Sequence, residues 1–249
     1  MPRFLLSDAL WSKLKNILLQ EGIYNKRHLR LMVEGMLYRI RAGCPWRDLP
    51  EAFGRWNSIY KKFNAWSACG KWKAIFKALV IDADVEWIFI DGSYAKAHQH
   101  SAGAVGDGDE GIGKSRAGNT TKIHLAVDSY GLPIDFDITS GATYDCKAAP
   151  ELIAKLPQAG AVIADKGYDS ETLREQITSK GSRVVIPRKR NSRKGNDDLD
   201  RGLYRYRHLV ENAFARLKQF RGLATRFDKL KRNYESVVAM ACAFLWLPM

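Results

Sequence analysis

Four functional side chains recur at helical intervals in the stretch YRYRHLVENAFARLK, Tyr204 to Lys218. Tyr204, Arg207, Glu211 and Lys218 are separated by steps of three, four and seven, which at 100° per residue return to one face of a helix. Val210, Phe214 and Leu217 form a second, apolar stripe beside it. Such a helix rests its apolar side on a core and presents one carboxylate flanked by two cations and a tyrosine. A cation beside a carboxylate on a surface helix is ordinarily only a weak ion pair. Four functional types on one stripe at the border of the core ask for chemistry. Two further carboxylates follow short apolar runs, Asp91 in WIFIDGSYAKAH and Asp165 in AVIADKGYDS. Were these to converge with Glu211, three carboxylates with no histidine or cysteine among them would suit hard, oxygen-seeking Mg2+ or Mn2+. Two such ions about 3.5–4 Å apart can activate a water or 3′-hydroxyl and stabilise the leaving oxygen of an in-line displacement.

The Y-x2-R-x3-E-x6-K spacing resembles the signature of the DDE transposases of bacterial insertion sequences, and within them the insertion-sequence family numbered five. The resemblance extends to CPWRDLPEAFGRWNSIYKKFNAW near the N-terminus and SRAGNTTKIHLAVDSYGLP in the centre. It takes in nearly the whole chain, with the motifs in the family's order. A lone D, D and E would carry no information among 27 acidic residues; the ordered set does. The resemblance implies that Asp91 bridges two Mg2+ (or Mn2+) ions while Asp165 and Glu211 each hold one. It implies that Arg207 and Lys218 contact phosphates flanking the scissile bond, with Tyr204 helping to place the strand. The implied activity is cleavage at the ends of the element and joining of the freed 3′-hydroxyls to target DNA. The implied partners are double-stranded DNA and a second subunit, giving a homodimer in the active complex. Two other readings share part of this evidence: a ribonuclease-H-like nuclease or resolvase, and a non-catalytic, domesticated DNA-binding relative.

The elements that must position these residues read as follows. Ser7 is a plausible N-cap for a helix with Leu10, Trp11, Leu14, Ile17 and Leu18 at helical spacing, stopped by Gly22. A second helix follows Asn25, with Leu29, Val33, Met36, Leu37 and Ile40 inward, and ends at Gly43. A third spans about 54–68 and a fourth about 71–80. Together they predict a small all-helical domain, residues 1–83, as the DNA-binding part. Arg55, Lys61 and Lys62 lie on the polar side of the third helix, where a DNA groove could meet them. From Val85 the pattern changes to short strands: Trp87 to Ile90 ending at Asp91, then Lys122 to Val127 and Ile134 to Ile138 joined through a DSYG turn. A helix near 147–155 leads to the strand Ala161 to Ala164, and a helix over 170–180 to the strand Val184 to Ile186. Three strands, then strand–helix–strand, then helix, is the order of an α/β, ribonuclease-H-like mixed-sheet catalytic domain, residues 84–249, closed by basic C-terminal helices. In that fold the first and fourth strands are neighbours, which would set Asp91 beside Asp165.

Charge is unevenly spread. The net +13 divides into 15 basic against 5 acidic residues over 1–80, 9 against 16 over 81–182, and 16 against 6 over 183–249. Basic ends around an acidic middle fit a polyanion held over a carboxylate-rich site, where metal cations would offset the repulsion. No apolar run approaches the roughly 20 residues of a membrane helix, and the N-terminus lacks a signal peptide's apolar region. The four cysteines form no CxxC pair. The expectation is a cytoplasmic, nucleoid-associated bacterial protein with no membrane partner.

One motif competes. Gly108 to Ser115, GDEGIGKS, matches the phosphate-binding pattern GxxxxGKS letter for letter. That loop needs a buried strand before it and a helix after it. Here QHSAGAVGDG precedes and RAGNTTK follows, so no nucleotide partner is expected, and Lys114 to Arg116 read as a flexible basic loop near the DNA. His98, His100 and His124 flank the first two strands and receive no role.

Overall fold

The computed structural model describes residues 3–101, 110–190 and 192–249. In chain order its elements are α1 (Asp8–Gln20), α2 (Leu29–Ala42), α3 (Trp56–Ala68), α4 (Lys71–Leu79), β1 (Trp87–Ala97), β2 (Gly113–Ser115), β3 (Gly118–Val127), β4 (Pro133–Ser140), α5 (Asp145–Lys155), β5 (Ala161–Ala164), α6 (Glu171–Ser179), β6 (Arg183–Val185), α7 (Arg201–Tyr204), α8 (His208–Leu217), α9 (Arg221–Ala224), β7 (Thr225–Arg226) and α10 (Lys231–Trp246). They fall into two compact units. One is made of Met1–Ile81, Ala97–Glu110 and Leu217–Met249, the other of Asp82–Lys96 and Gly111–Arg216.

The first unit is helical. Ser7 caps α1, its hydroxyl accepting the Leu10 N–H at 3.3 Å. The inward residues of α2 named above are all buried, and α10 is buried along most of its length against α3 and α4. α2 ends at Gly43, where φ is +68° and an added Cβ would lie 2.8 Å from the Arg221 Cβ, so glycine alone fits there. Two buried charges on α2 are matched. Glu34 accepts the Leu5 and Leu6 N–H groups at 2.8 and 3.0 Å, and Arg39 donates to Asp228 at 3.0 Å. Removing either partner would strand a buried charge.

The second unit is a mixed sheet. β1 pairs antiparallel with β3 and parallel with β5; β4 pairs antiparallel with β3, and β6 parallel with β5. The strand order β4–β3–β1–β5–β6, three antiparallel strands followed by two parallel ones, is the ribonuclease-H-like topology. All four residues of β5 are buried, as an apolar run covered on both faces should be. β3 is buried from Thr120 to Val127.

Three local details differ from the sequence expectation. β1 does not stop at Asp91: β5 pairs with it only as far as Ile90, but β3 continues to pair through Lys96, so Asp91 lies within the strand. Lys114 to Arg116 are not an irregular loop. β2 pairs with residues 118–120 of β3, and Gly118, at φ +89°, turns the hairpin. The stretch from Tyr204 to Lys218 is not one straight α-helix. α7 ends at Tyr204, Arg205–Arg207 form a 3-10 turn, α8 follows, and Lys218 lies one residue beyond it. The tighter turn is pinned from below by Tyr206, whose ring stacks on Trp87 of β1 at 5.8 Å between centroids.

Candidate active site

Strand register brings the first two carboxylates together. Ile90 of β1 is paired with Ala164 of β5, and Asp91 and Asp165 are the next residue on each chain. Each carboxylate is oriented by a glycine N–H. Asp91 Oδ1 accepts the N–H of Gly92 at 2.7 Å. Asp165 caps the short 3-10 turn Lys166–Tyr168, its Oδ1 accepting the Gly167 N–H at 2.7 Å.

α8 brings the third. Val210, Ala213 and Phe214 are buried and hold the helix on its apolar stripe. The DSYG turn lies against its start: Gly131 has φ +76°, and a Cβ there would come within 3.2 Å of the Leu209 carbonyl oxygen. Asp128 shapes this turn by accepting the N–H groups of Tyr130 at 3.0 Å and Leu132 at 2.8 Å. On the 3-10 turn before α8, Arg207 donates from Nη1 to Asp91 Oδ2 at 2.9 Å and from Nη2 to Glu211 Oε1. One guanidinium therefore serves both Asp91 and Glu211. Burial pushes the Asp91 carboxyl above its usual range; the Gly92 N–H and Arg207 pull it back, and Asp165 pushes it up again. Burial works against the charge on Arg207, but Asp91, Glu211 and Tyr204 outweigh it, so the guanidinium holds its proton more firmly than usual.

A fourth acidic residue stands beside this pair, and the sequence reading passed over it. Asp145, at the start of α5, accepts from Lys122 Nζ at 2.7 Å through Oδ2. Its Oδ1 is 3.5 Å from His124 Nδ1. Lys122 and His124 are buried, as is Tyr168. Burial, with Asp145, Asp91 and Asp165 nearby, pushes the Tyr168 phenol well above its ordinary range. Burial likewise lowers His124 to about 4, outweighing the attraction of Asp145, while Lys122 lowers it further and Asp137 raises it. His124 is therefore neutral near pH 7, with Nε2 2.9 Å from Thr139 Oγ1. The signal available in sequence was small: a glycine after Asp91, another two residues after Asp165, and an acidic residue opening a helix.

The remaining sequence-predicted residues are dispersed. Tyr204 closes α7. Lys218 belongs to the helical unit, where burial lowers its pKa. Arg55 is exposed at the N-cap of α3, with Lys61 exposed and Lys62 half-buried on the same helix. Lys114 and Arg116 are exposed on the β2–β3 hairpin. Gly108 and Asp109 of the GxxxxGKS match lie outside the described residues. Its Lys114 and Ser115 are in a strand, with another strand and no helix after them, so the anion-binding helix N-terminus that the motif requires is missing there. Among the described residues, no group of three His, Cys, Asp or Glu closes on a point where a metal would sit, and no helix is long and apolar enough to cross a membrane.

Known proteins match this chain in two blocks. Residues 6–76 match a family described as "Putative transposase of IS4/5 family", and residues 86–246 match the family "Transposase DDE domain". A relative from Brucella ovis, described as "Putative transposase for insertion sequence element IS6501", is 37% identical over 128 residues, 51% of this chain and 98% of the relative. "Uncharacterized protein y4sN" of Sinorhizobium fredii is 33% identical over 103 residues, 40% of this chain and 82% of the relative. The "Transposase for insertion sequence element IS1106" of Neisseria meningitidis serogroup B is 32% identical over 127 residues, 49% of this chain and 44% of the relative. With the second family covering well over half of its length, this chain belongs to the DDE transposases of insertion sequences.

Proposed function

We propose that the protein cleaves DNA at the ends of its insertion sequence and joins the freed 3′-hydroxyl ends to target DNA, with Asp91, Asp165 and Glu211 as the catalytic carboxylates. The observation that carries this reading is the Ile90–Ala164 register together with Arg207. The register sets Asp91 and Asp165 side by side, and the guanidinium draws Asp91 and Glu211 to one cation. The donor set is made of hard carboxylate oxygens, two of them, on Asp91 and Glu211, already paired with one cation, which fits Mg2+ or Mn2+. Asp91, Asp165 and Glu211 would hold two such ions. When bound, these supply Lewis-acid activation of the attacking oxygen and stabilisation of the leaving one.

The chain's own residues orient and bind. Gly92 and Gly167 aim the aspartates. Arg207, released from carboxylates once they are otherwise neutralised, is free to take a phosphate, a geometry guanidinium suits. Tyr204 and Lys218 contribute further backbone contacts. Residues 1–83 supply DNA contacts, with Arg55, Lys61 and Lys62 on α3, and residues 84–249 supply the catalytic domain. Lys114 and Arg116 on the β2–β3 hairpin add positive charge. Two DNA ends must be brought together, so the working complex is a homodimer on DNA, in the cytoplasm at the nucleoid.

The experiment is an end-cleavage and strand-transfer assay with purified protein, Mg2+, a labelled terminal-repeat duplex and a plasmid target, without nucleotide. Joined products support the reading. Nicking without joining would favour a ribonuclease-H-like nuclease, and binding without nicking a non-catalytic DNA-binding relative.

A further inference from the structure

We infer that Asp145 is a positioning residue for the two catalytic aspartates, fixing the backbone at Gly92 and Gly167 so that Asp91 and Asp165 present their carboxylates together. The inference rests on the carboxylate reading above.

The sheet register fixes the geometry. Gly92 is opposite His124 and Tyr94 is opposite Lys122, so these residues share one face, while Asp91, opposite Leu125, points to the other. Asp145 lies on the Gly92 face. A Cβ added at Gly92 would fall 2.5 Å from Asp145 Oδ1 and 2.8 Å from Lys122 Cε. A side chain there would have to displace Asp145 and Lys122, so the carboxylate lies close to the residue whose N–H orients Asp91. The same carboxylate reaches the second aspartate: a Cβ at Gly167 would lie 3.5 Å from Asp145 Oδ2 and 2.8 Å from Asp165 Oδ1. Asp145 thus lies close against Gly92 and near Gly167, the two residues whose N–H groups aim the proposed catalytic pair.

Asp145 is itself held. Lys122 fixes Oδ2 at 2.7 Å with a side chain only 5% exposed. Asp145 Oδ1 faces His124 Nδ1 at 3.5 Å, and the buried Tyr168 hydroxyl lies against the same carboxylate. An ion pair between a buried lysine and a partly exposed carboxylate adds little net stability over well-packed apolar residues. Stability alone is a poor reason for this cluster to lie beneath both aspartates. Registry of the site is the better one.

The test measures Mn2+ binding to the full-length protein by the electron paramagnetic resonance signal of free Mn2+, with folding followed by circular dichroism. Asp145→Ala is expected to weaken Mn2+ binding roughly 10- to 100-fold, as loss of an outer-shell support does, in protein that is still folded. Asp145→Asn keeps the shape and an acceptor for Lys122, and its amide can donate towards Tyr168, so most of the affinity should return. Lys122→Met, which removes the clamp together with the ammonium over the Tyr94 ring, should weaken binding in the wild-type background and add little to Asp145→Ala. Wild-type Mn2+ affinity in both Asp145→Ala and Lys122→Met, with affinity lost in Asp91→Asn, would overturn the inference and leave the metal reading intact. An Asp145→Asn variant as weak as Asp145→Ala would overturn positioning in favour of a direct charge effect. If Asp145→Ala fails to fold, Asp145→Asn and Lys122→Met decide the matter by the same readout. Unchanged binding in Asp91→Asn would instead sink the metal-carboxylate reading itself.

Discussion

Arg207 and Asp91 form an ion pair at 2.9 Å that joins the 3-10 turn before α8 to the middle of β1. The same guanidinium pairs with Glu211. It is the cation around which two of the three proposed catalytic carboxylates are gathered, and a metal held by the proposed site would have to displace it. Arg207→Ala leaves Asp91, itself mostly buried, without that counter-charge, at a cost of about 1–3 kcal/mol. Mg2+ should then raise the melting temperature of the variant more than that of the wild type, because it no longer displaces an arginine. Equal Mg2+ shifts in thermal melts would show that Arg207 is not the competing cation.

Glu211→Gln keeps size and helix propensity but removes one of the proposed metal-holding charges. Cleavage should fall by on the order of 10³-fold or more, the scale of a lost electrostatic stabiliser. The substitution leaves the positive charges of Arg207 and Lys218 in place, so gel-shift binding of end DNA should stay near wild type or tighten. Lys218→Ala should do the reverse, weakening binding or misplacing the cut. Near-normal nicking by Glu211→Gln would reduce Glu211 to an ordinary helix residue.

His124 gives the protein an acid limb. Its folded pKa is about 4 against an ordinary 6.5, because burial disfavours the imidazolium. The folded state therefore refuses a proton that the unfolded state accepts. The contribution is fully present above pH 6.5 and is lost as pH falls from 6.5 towards 4, to a total on the order of 3 kcal/mol. Denaturant midpoints measured across this window should drop, and His124→Asn should flatten the drop. An unchanged slope in the variant would place the acid sensitivity elsewhere.

The DNA contacts proposed for α3 are better tested by side-chain changes than by truncation, because α10 buries its apolar face against α3 and α4. Arg55→Ala, Lys61→Ala and Lys62→Ala combined should weaken binding of end DNA. If all three neutralise phosphates, the slope of log K against log salt should become shallower by up to roughly 3. A wild-type slope would move the contacts to other basic surfaces, such as the β2–β3 hairpin.

The residues themselves determined the order of elements, and the spacing that carries the resemblance nominated the three carboxylates. Apolar runs ending at Ile90 and Ala164 fix two buried strands, because only a strand covered on both faces tolerates such runs. The three-four spacing of Val210, Phe214 and Leu217 fixes a helix with one buried side. Sequence periodicity encodes which face of an element is buried, but not what it is buried against. So the register that sets Asp91 beside Asp165, and the grouping of α10 with α3 and α4, are decided only when distant segments pack. The same holds for the contact between Tyr206, on the 3-10 turn at Arg205–Arg207, and Trp87 of β1. Asp145 was hidden for that reason: a single acidic residue before a helix reads as an ordinary first-turn charge. Only the closed sheet brings Lys122, Tyr168, Gly92 and Gly167 around it, where the missing Cβ at Gly92 leaves room for its carboxylate.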